Sequence, residues 1–269
     1  MKNELVQSFN DLKKNWKFIP VIIALDVVFL IVFGFVYSLY FDRILAYMTD
    51  IMSAMPAATA ALQQVSAPTA QALSSVYGIN ASLSAIYKLA ILLAISTFVI
   101  WIVFQSVIWS FAHRIAESKT KFLEYLKGFS VVSVIWFAIF SVIMYFSISA
   151  TLNNAFNKQI PAGQDSWVVY GTLIAVAVLG YFVIVSYSLT GKIKEILKKT
   201  FVYCLTRPKV LLSYLILLVT LLVINLVLLG LWFASKTLSI AVGIVLVLLY
   251  LVFARVYMIE TIKKLEKKK

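Results

Sequence analysis

The stretch 18–40, FIPVIIALDVVFLIVFGFVYSLY, carries a single charge, Asp26, along its whole length. As a helix rising 1.5 Å per residue it reaches about 34 Å, enough to cross a hydrocarbon core of about 30 Å. Five further apolar runs follow at 86–112, 129–150, 167–189, 210–231 and 237–258. Each is long enough to span, and none is broken by proline beyond its first turn. Pro20 falls in the first turn of the first run, where a missing N–H costs little.

The chain as a whole is 62% hydrophobic and 13% charged. Soluble domains run nearer half apolar and a quarter charged. A single globule of 269 residues has no interior large enough to hide so much apolar surface, so lipid is the solvent for much of it. The fold class expected is all-α: one integral membrane domain over 1–269, with six transmembrane helices arranged as three hairpins. The basic leader before residue 18 resembles a secretory signal only superficially. The apolar run is too long for a signal core, and no small-residue cleavage pattern follows it. It reads as a retained span.

Orientation follows from Lys and Arg. Twenty of the 24 fall in 1–17, 113–128, 190–209 and 255–269, leaving Arg43, Lys88, Lys158 and Lys236 for the opposite side. An even number of spans puts both ends of the chain on the basic side, so both termini are expected in the cytoplasm of a cell membrane. The formal net charge of +13 is then a property of the inner face. It points to the lipid bilayer and its anionic inner-leaflet lipids as partners, at about 1 kcal/mol per cation near the surface, and away from nucleic acid. A membrane-protein partner or a second copy of the chain is compatible with the same surface.

The outer connections differ. Residues 41–85 are long, nearly uncharged and rich in Ala, Ser, Met and Gln, with Pro56, Pro68 and Gly78 as punctuation. Apolar residues recur there at helical spacing, so short outer helices are expected, either extending the first two spans or lying on the leaflet as a lid. Asn80-Ala81-Ser82 is an N-glycosylation triplet on that side. Residues 151–166 form a polar loop with Pro161 and Gly163, and 232–236 a tight hairpin.

Each odd-numbered span is preceded by a basic segment holding an apolar pair three or four residues apart. The pairs are Phe9 with Leu12, Phe122 with Leu126, and Phe201 with Leu205. Such spacing shares one helix face, the pattern of an interfacial amphipathic helix. The module repeated three times is therefore a basic amphipathic helix followed by a transmembrane hairpin. Lys14-Asn15-Trp16-Lys17-Phe18-Ile19-Pro20 and Thr206-Arg207-Pro208-Lys209-Val210 mark the entry into the first and fifth spans. With these segments the chain resembles the six-helix membrane domain attached to glycerophosphodiester phosphodiesterases and related uncharacterised prokaryotic membrane proteins. Their hydrolytic chemistry sits in a separate soluble domain, so the resemblance implies no catalytic residue here.

Asp26 lies about 12 Å into the basic half of its span, where a carboxylate costs roughly 2.5–3.5 kcal/mol and needs a partner. Gln105 stands at similar depth in the second span, and the long side chain of Arg255 reaches inward from the sixth. Asp26, Gln105 and Arg255 thus form the candidate intramembrane polar site, either a structural ion-pair knot or part of a proton or substrate path. Asn225 is expected to bond across helices, and Gly171 with Ala175 and Ser239 with Gly243 are small-xxx-small pairs for close approach. Ser106, Ser110 and His113 share a face of the second span, and Ser133 and Ser141 a face of the third. Cys204 is expected to be an inert interfacial thiol; the alternative is a thiolate favoured by the neighbouring Lys and Arg and placed for surface acylation.

One histidine and one cysteine exclude a multi-histidine metal site, a zinc cluster and an intrachain disulfide. No Gly-x-Ser-x-Gly, phosphate-binding glycine loop or paired intramembrane carboxylates occur. No catalytic residue, cofactor or metal is therefore expected. The reading is a non-enzymatic multi-pass membrane protein acting by lipid or protein interaction. The alternative is a small transporter or permease subunit using Asp26 and the inner polar layer.

Overall fold

The computed structural model describes residues 2–63, 70–116, 122–157 and 166–267. Among them the regular structure is helical throughout: α1 (Lys2–Lys14), α2 (Ile19–Gln63), α3 (Ala70–Ile115), α4 (Phe122–Asn157), α5 (Ser166–Tyr187), α6 (Ile193–Thr206), α7 (Pro208–Ala234) and α8 (Lys236–Glu266). Six of these, α2 to α5 with α7 and α8, are long and apolar enough to cross a membrane. The chain is an all-α multi-pass membrane protein. Their apolar side chains are widely exposed, as expected where lipid rather than protein covers them.

Chain breaks explain where helices start. A 3-10 turn over Trp16–Phe18 separates α1 from α2, just before Pro20. Arg207 leaves the helical region and Pro208 opens α7, so α6 and α7 are distinct. No proline stands in 117–128. The third segment expected as a separate amphipathic helix is accordingly the first turns of α4 itself. Two of the three leaders are independent helices.

The long outer stretch 41–85 extends the first two spans. α2 runs unbroken through Pro56 into an alanine-rich tail, the best of helix formers. It is 45 residues long and α3 is 46, each about 68 Å and more than twice the hydrocarbon thickness. Gly78 and the Asn80 triplet lie inside α3 rather than in a loop. Pro68, Pro161 and Gly163 lie outside the described residues. Between α7 and α8 the chain turns on one residue, Ser235, whose hydroxyl accepts from the Leu238 N–H at 3.3 Å.

Two compact units divide the chain: Met1–Asp26 with Phe104–Lys269, and Val27–Val103. Within the second, the Tyr40 and Ser96 hydroxyls meet at 3.4 Å and the Phe29 and Trp101 rings at 5.9 Å, so α2 and α3 run antiparallel. Within the first, α7 packs on α8, α4 on α5, α1 on α8, and α6 against α5 and α7. Its buried core gathers Ile22, Ile108, Val185, Tyr203, Val256 and Met258 at the basic ends of the helices.

Small residues set the closest of these contacts. Ser239 Oγ donates to the Leu228 carbonyl at 2.8 Å, and a Cβ on Gly243 would come within 3.2 Å of Leu228. That pair lets α7 and α8 approach closely. Among the described residues nothing lies within 4 Å of where a Gly171 Cβ would stand, so no close approach is seen there.

Candidate functional site

The first unit brings Asp26, Gln105 and Arg255 together. Arg255, from α8, donates through Nη1 to Asp26 Oδ2 at 2.6 Å and through Nη2 to Asp26 Oδ1 at 2.9 Å. Nη2 also reaches Gln105 Oε1 at 3.4 Å. All three are buried, with 2%, 5% and 7% of Asp26, Gln105 and Arg255 exposed. Helical rise alone put Asp26 and Gln105 at one depth. The length of the arginine side chain closes the remaining gap from α8.

The geometry is the parallel fork of a guanidinium on a carboxylate, the strongest form of charge-assisted pair. In a dry site, desolvation of the two charges offsets much of their attraction, so the pair adds little net stability. Its effect is conditional: removing one partner strands a charge at a cost of about 3–5 kcal/mol. Chemically, both Asp26 oxygens are occupied by N–H donors. A proton arriving on the carboxylate would displace one of them.

A second polar cluster lies nearby and was less visible in the sequence. The Tyr187 carbonyl accepts from His113 Nε2–H and from the Tyr125 hydroxyl, each at 3.0 Å. The Tyr187 hydroxyl meets Ser133 Oγ at 2.8 Å, and Trp136 Nε1–H donates to Ser186 Oγ at 3.0 Å. The cluster knits α3, α4 and α5 at the end of α5, where a carbonyl loses its helical partner. Tyr125, Trp136 and Tyr187 were missed. The available signal was only that aromatic residues with polar tips gather at membrane boundaries. Ser141 proves separate from Ser133: it is exposed and bonds back to Phe137 within α4. Ser106, Ser110 and His113 are all buried.

A third set clasps α1 to α7 and α8. Lys209 bonds the Glu4 carboxylate, and Lys264 stands 4.0 Å from it. Burial pushes the Glu4 carboxyl upward, but the hydrogen bonds it accepts, that of Lys209 first among them, outweigh burial and hold the group at about 2. Lys263 pairs with Glu260 at 2.9 Å and also reaches the Ala116 carbonyl. Lys199 of α6 meets Glu266 of α8 at 2.6 Å, and that hydrogen bond raises the lysine's pKa. The face of α1 that is buried is therefore polar, with Glu4, Ser8 and Asp11, while Phe9 is 62% exposed. Phe9 and Leu12 do not act as one apolar face: Leu12 packs on the core, and Phe9 lies outward beside Phe253. On α6, Phe201 and Leu205 both face outward.

Between the basic ends of α4 and α5 opens a cavity of about 590 Å³. Exposed Glu124 and Lys192 line it together with buried apolar residues such as Phe129 and Ile196 and with Tyr125, Ser186 and Tyr187 of the polar cluster. The 188–192 turn forms one wall. Gly191 there has φ +134°, a backbone conformation open to glycine.

One further expectation, at Asn225, is corrected, and the inert reading of Cys204 agrees with its burial. Asn225 donates to the Leu221 carbonyl of its own helix at 2.8 Å and, among the described residues, makes no interhelical hydrogen bond. Within α7 the i−4 carbonyl is the nearest acceptor for an exposed amide. Cys204 is buried in α6, and burial pushes its thiol up to about 12. Sequence neighbours that are cationic do not make a thiolate when the sulfur faces the core. No family model, curated protein or solved structure matches the chain.

Proposed function

We propose that this multi-pass protein is non-enzymatic and acts through lipid and protein contacts at the inner face of a cell membrane, with both termini in the cytoplasm. The observation that carries this reading is the commitment of Asp26. The only acid within the first span is held by both oxygens in a buried pair, which makes it a tie between helices rather than a free relay group. The basic end of the chain supplies the surface. α6 presents Lys194 and Lys198 to the exterior one turn apart, with Phe201 and Leu205 set outward beyond them. Apolar rings flanked by cations fit the acyl boundary beneath anionic headgroups.

The test has two readouts on the purified full chain. In liposomes of phosphatidylethanolamine and phosphatidylglycerol, an imposed pH gradient should decay at the same rate with wild type and Asp26→Asn. Proton flux lost only in the variant would replace this reading with the transporter. In detergent, wild type should retain phosphatidylglycerol over phosphatidylcholine, and Lys194→Gln with Lys198→Gln should reduce that preference.

A further inference from the structure

α2 carries an exposed apolar row where hydrocarbon does not reach. Counted from Ile19, a core of about 30 Å takes up about twenty residues. Gly34 and Ser38 therefore lie in its second half, and Asp42 stands just past its end. Met52 is about 50 Å from Ile19 along the axis, and still about 38 Å deep at a tilt of about 40°, the upper end of what spans adopt. Phe41, Leu45, Met48 and Met52 are all exposed, Met52 at 71%. Lipid tails cover the first of these at most, and a line of large apolar side chains in water is the mark of an interaction face. With Gly34 and Ser38 the row advances by four and three residues in strict alternation. That is the heptad seam by which two helices keep one face together. It is not the face that meets α3. The Tyr40 hydroxyl meets Ser96 at 3.4 Å, and the half-buried Ile44 and Ile51 fall on the Tyr40 side, about a quarter-turn from the seam. Among the described residues nothing lies within 4 Å of where a Gly34 Cβ would stand, and Ser38 donates to Asp42 of its own helix at 3.1 Å.

We infer that this seam pairs two copies of the chain, their α2 helices parallel about a two-fold axis along the membrane normal. Two copies inserted the same way set each seam residue opposite its own counterpart, so small residues meet at one depth and large ones at another. A two-fold axis also sets like charge against like, so a self-pairing face must be neutral. The seam meets that condition: Asp42, Arg43 and Asp50 all fall off it. Gly34 and Ser38 let the backbones approach inside the hydrocarbon, where close packing drives association. Leu45, Met48 and Met52 add apolar burial beyond it, where water supplies the driving force. The two halves of the seam thus use different physics toward one contact about 27 Å long. The pairing is independent of the lipid preference at α6, and either stands if the other fails.

The experiment places single cysteines in the full chain, in a Cys204→Ala background, and reconstitutes each variant in liposomes at a high lipid-to-protein ratio. On mild oxidation with copper phenanthroline, Met48→Cys should form a disulfide-linked dimer. Ala46→Cys, equally exposed but turned away from the seam, should stay monomeric. In the Met48→Cys chain, adding Gly34→Leu or, independently, Leu45→Lys with Met52→Lys should slow dimer formation by about tenfold or more. The lysine pair lies outside the hydrocarbon and keeps the test valid if Gly34→Leu does not insert. An unchanged melting temperature in the lysine variant shows that the loss is one of pairing and not of folding. Equal cross-linking at positions 46 and 48 overturns the inference, as does a Met48→Cys dimer that forms at the same rate in both sets of variants. A disulfide between Phe41→Cys of one chain and Met52→Cys of another, in preference to like with like, overturns the parallel arrangement. Cross-linking of Met48→Cys in cells to a different protein, with no self-linked dimer, gives the seam to another partner and overturns it as well.

Discussion

Arg255 and Asp26 are 229 positions apart in sequence and share two parallel hydrogen bonds, at 2.6 and 2.9 Å. The last spanning helix is thereby fastened to the first, with Gln105 of the second at 3.4 Å from the same guanidinium. Asp26→Ala should therefore leave Arg255 as a buried, unpaired cation. The expected loss is about 3–5 kcal/mol, read as a lowered melting temperature in detergent. Asp26→Leu combined with Arg255→Met removes both charges and should recover most of that loss. A double variant as unstable as the single would show that the pair contributes more than mutual neutralisation.

Glu4 gives a pH dependence with a definite sign. Its carboxyl is held at about 2 against an ordinary 4.5, burial opposing and its hydrogen bonds, that of Lys209 first, prevailing. A depressed folded-state value means the unfolded chain binds the proton first as pH falls. The contribution is complete above about pH 4.5 and disappears on descending to about pH 2. Wild type should thus melt above Glu4→Gln at pH 7, and the two melting temperatures should converge as pH falls to about 2. Hydrogen exchange at pH 7 should locate the weakening in α1, whose buried polar face this bond holds to Lys209 of α7.

What the sequence reveals here follows from how each feature is encoded. Six spans are legible because hydrocarbon demands long uninterrupted apolar runs. The meeting of Asp26, Gln105 and Arg255 is legible because depth in a bilayer is proportional to residue count, and a buried charge must find a partner at its own depth. The clasp of Glu4 on Lys209 is not, because surface-charge patterns permit many pairings. Nor is the inward turn of α1's acids, since the same helix reads equally well with Phe9 and Leu12 as its membrane face. The Tyr187 cluster depends on a carbonyl freed at the end of α5, a backbone event without a side-chain signature. The continuity of α4 was decided by the absence of a proline before it, a signal present in the sequence and outweighed by apparent repetition.

Cys204 should be nearly inert in the folded chain. Its thiol is buried and pushed up to about 12 from an ordinary 9.0, which lowers the thiolate fraction at neutral pH by about a thousandfold. Iodoacetamide at pH 8 should label it slowly in mild detergent and quickly after denaturation, as followed by intact mass. Rapid labelling of the folded protein would instead support the alternative, a thiolate favoured by its cationic neighbours.

Two glycines should respond oppositely to alanine. Gly191 has φ +134° in the turn between α5 and α6, a conformation that any Cβ disfavours. Gly191→Ala should cost about 1–3 kcal/mol through backbone strain, and its Cβ would also lie 3.5 Å from Glu195 Oε2. Gly171 sits inside α5 with no described residue within 4 Å of where a Cβ would stand, so Gly171→Ala should be neutral or stabilising by up to about 1 kcal/mol through helix propensity. Thermal unfolding of the two variants in one detergent checks both signs. A tolerated Gly191→Ala would mean that the 188–192 turn adopts another backbone path, and the wall it forms on the α4–α5 cavity would move with it.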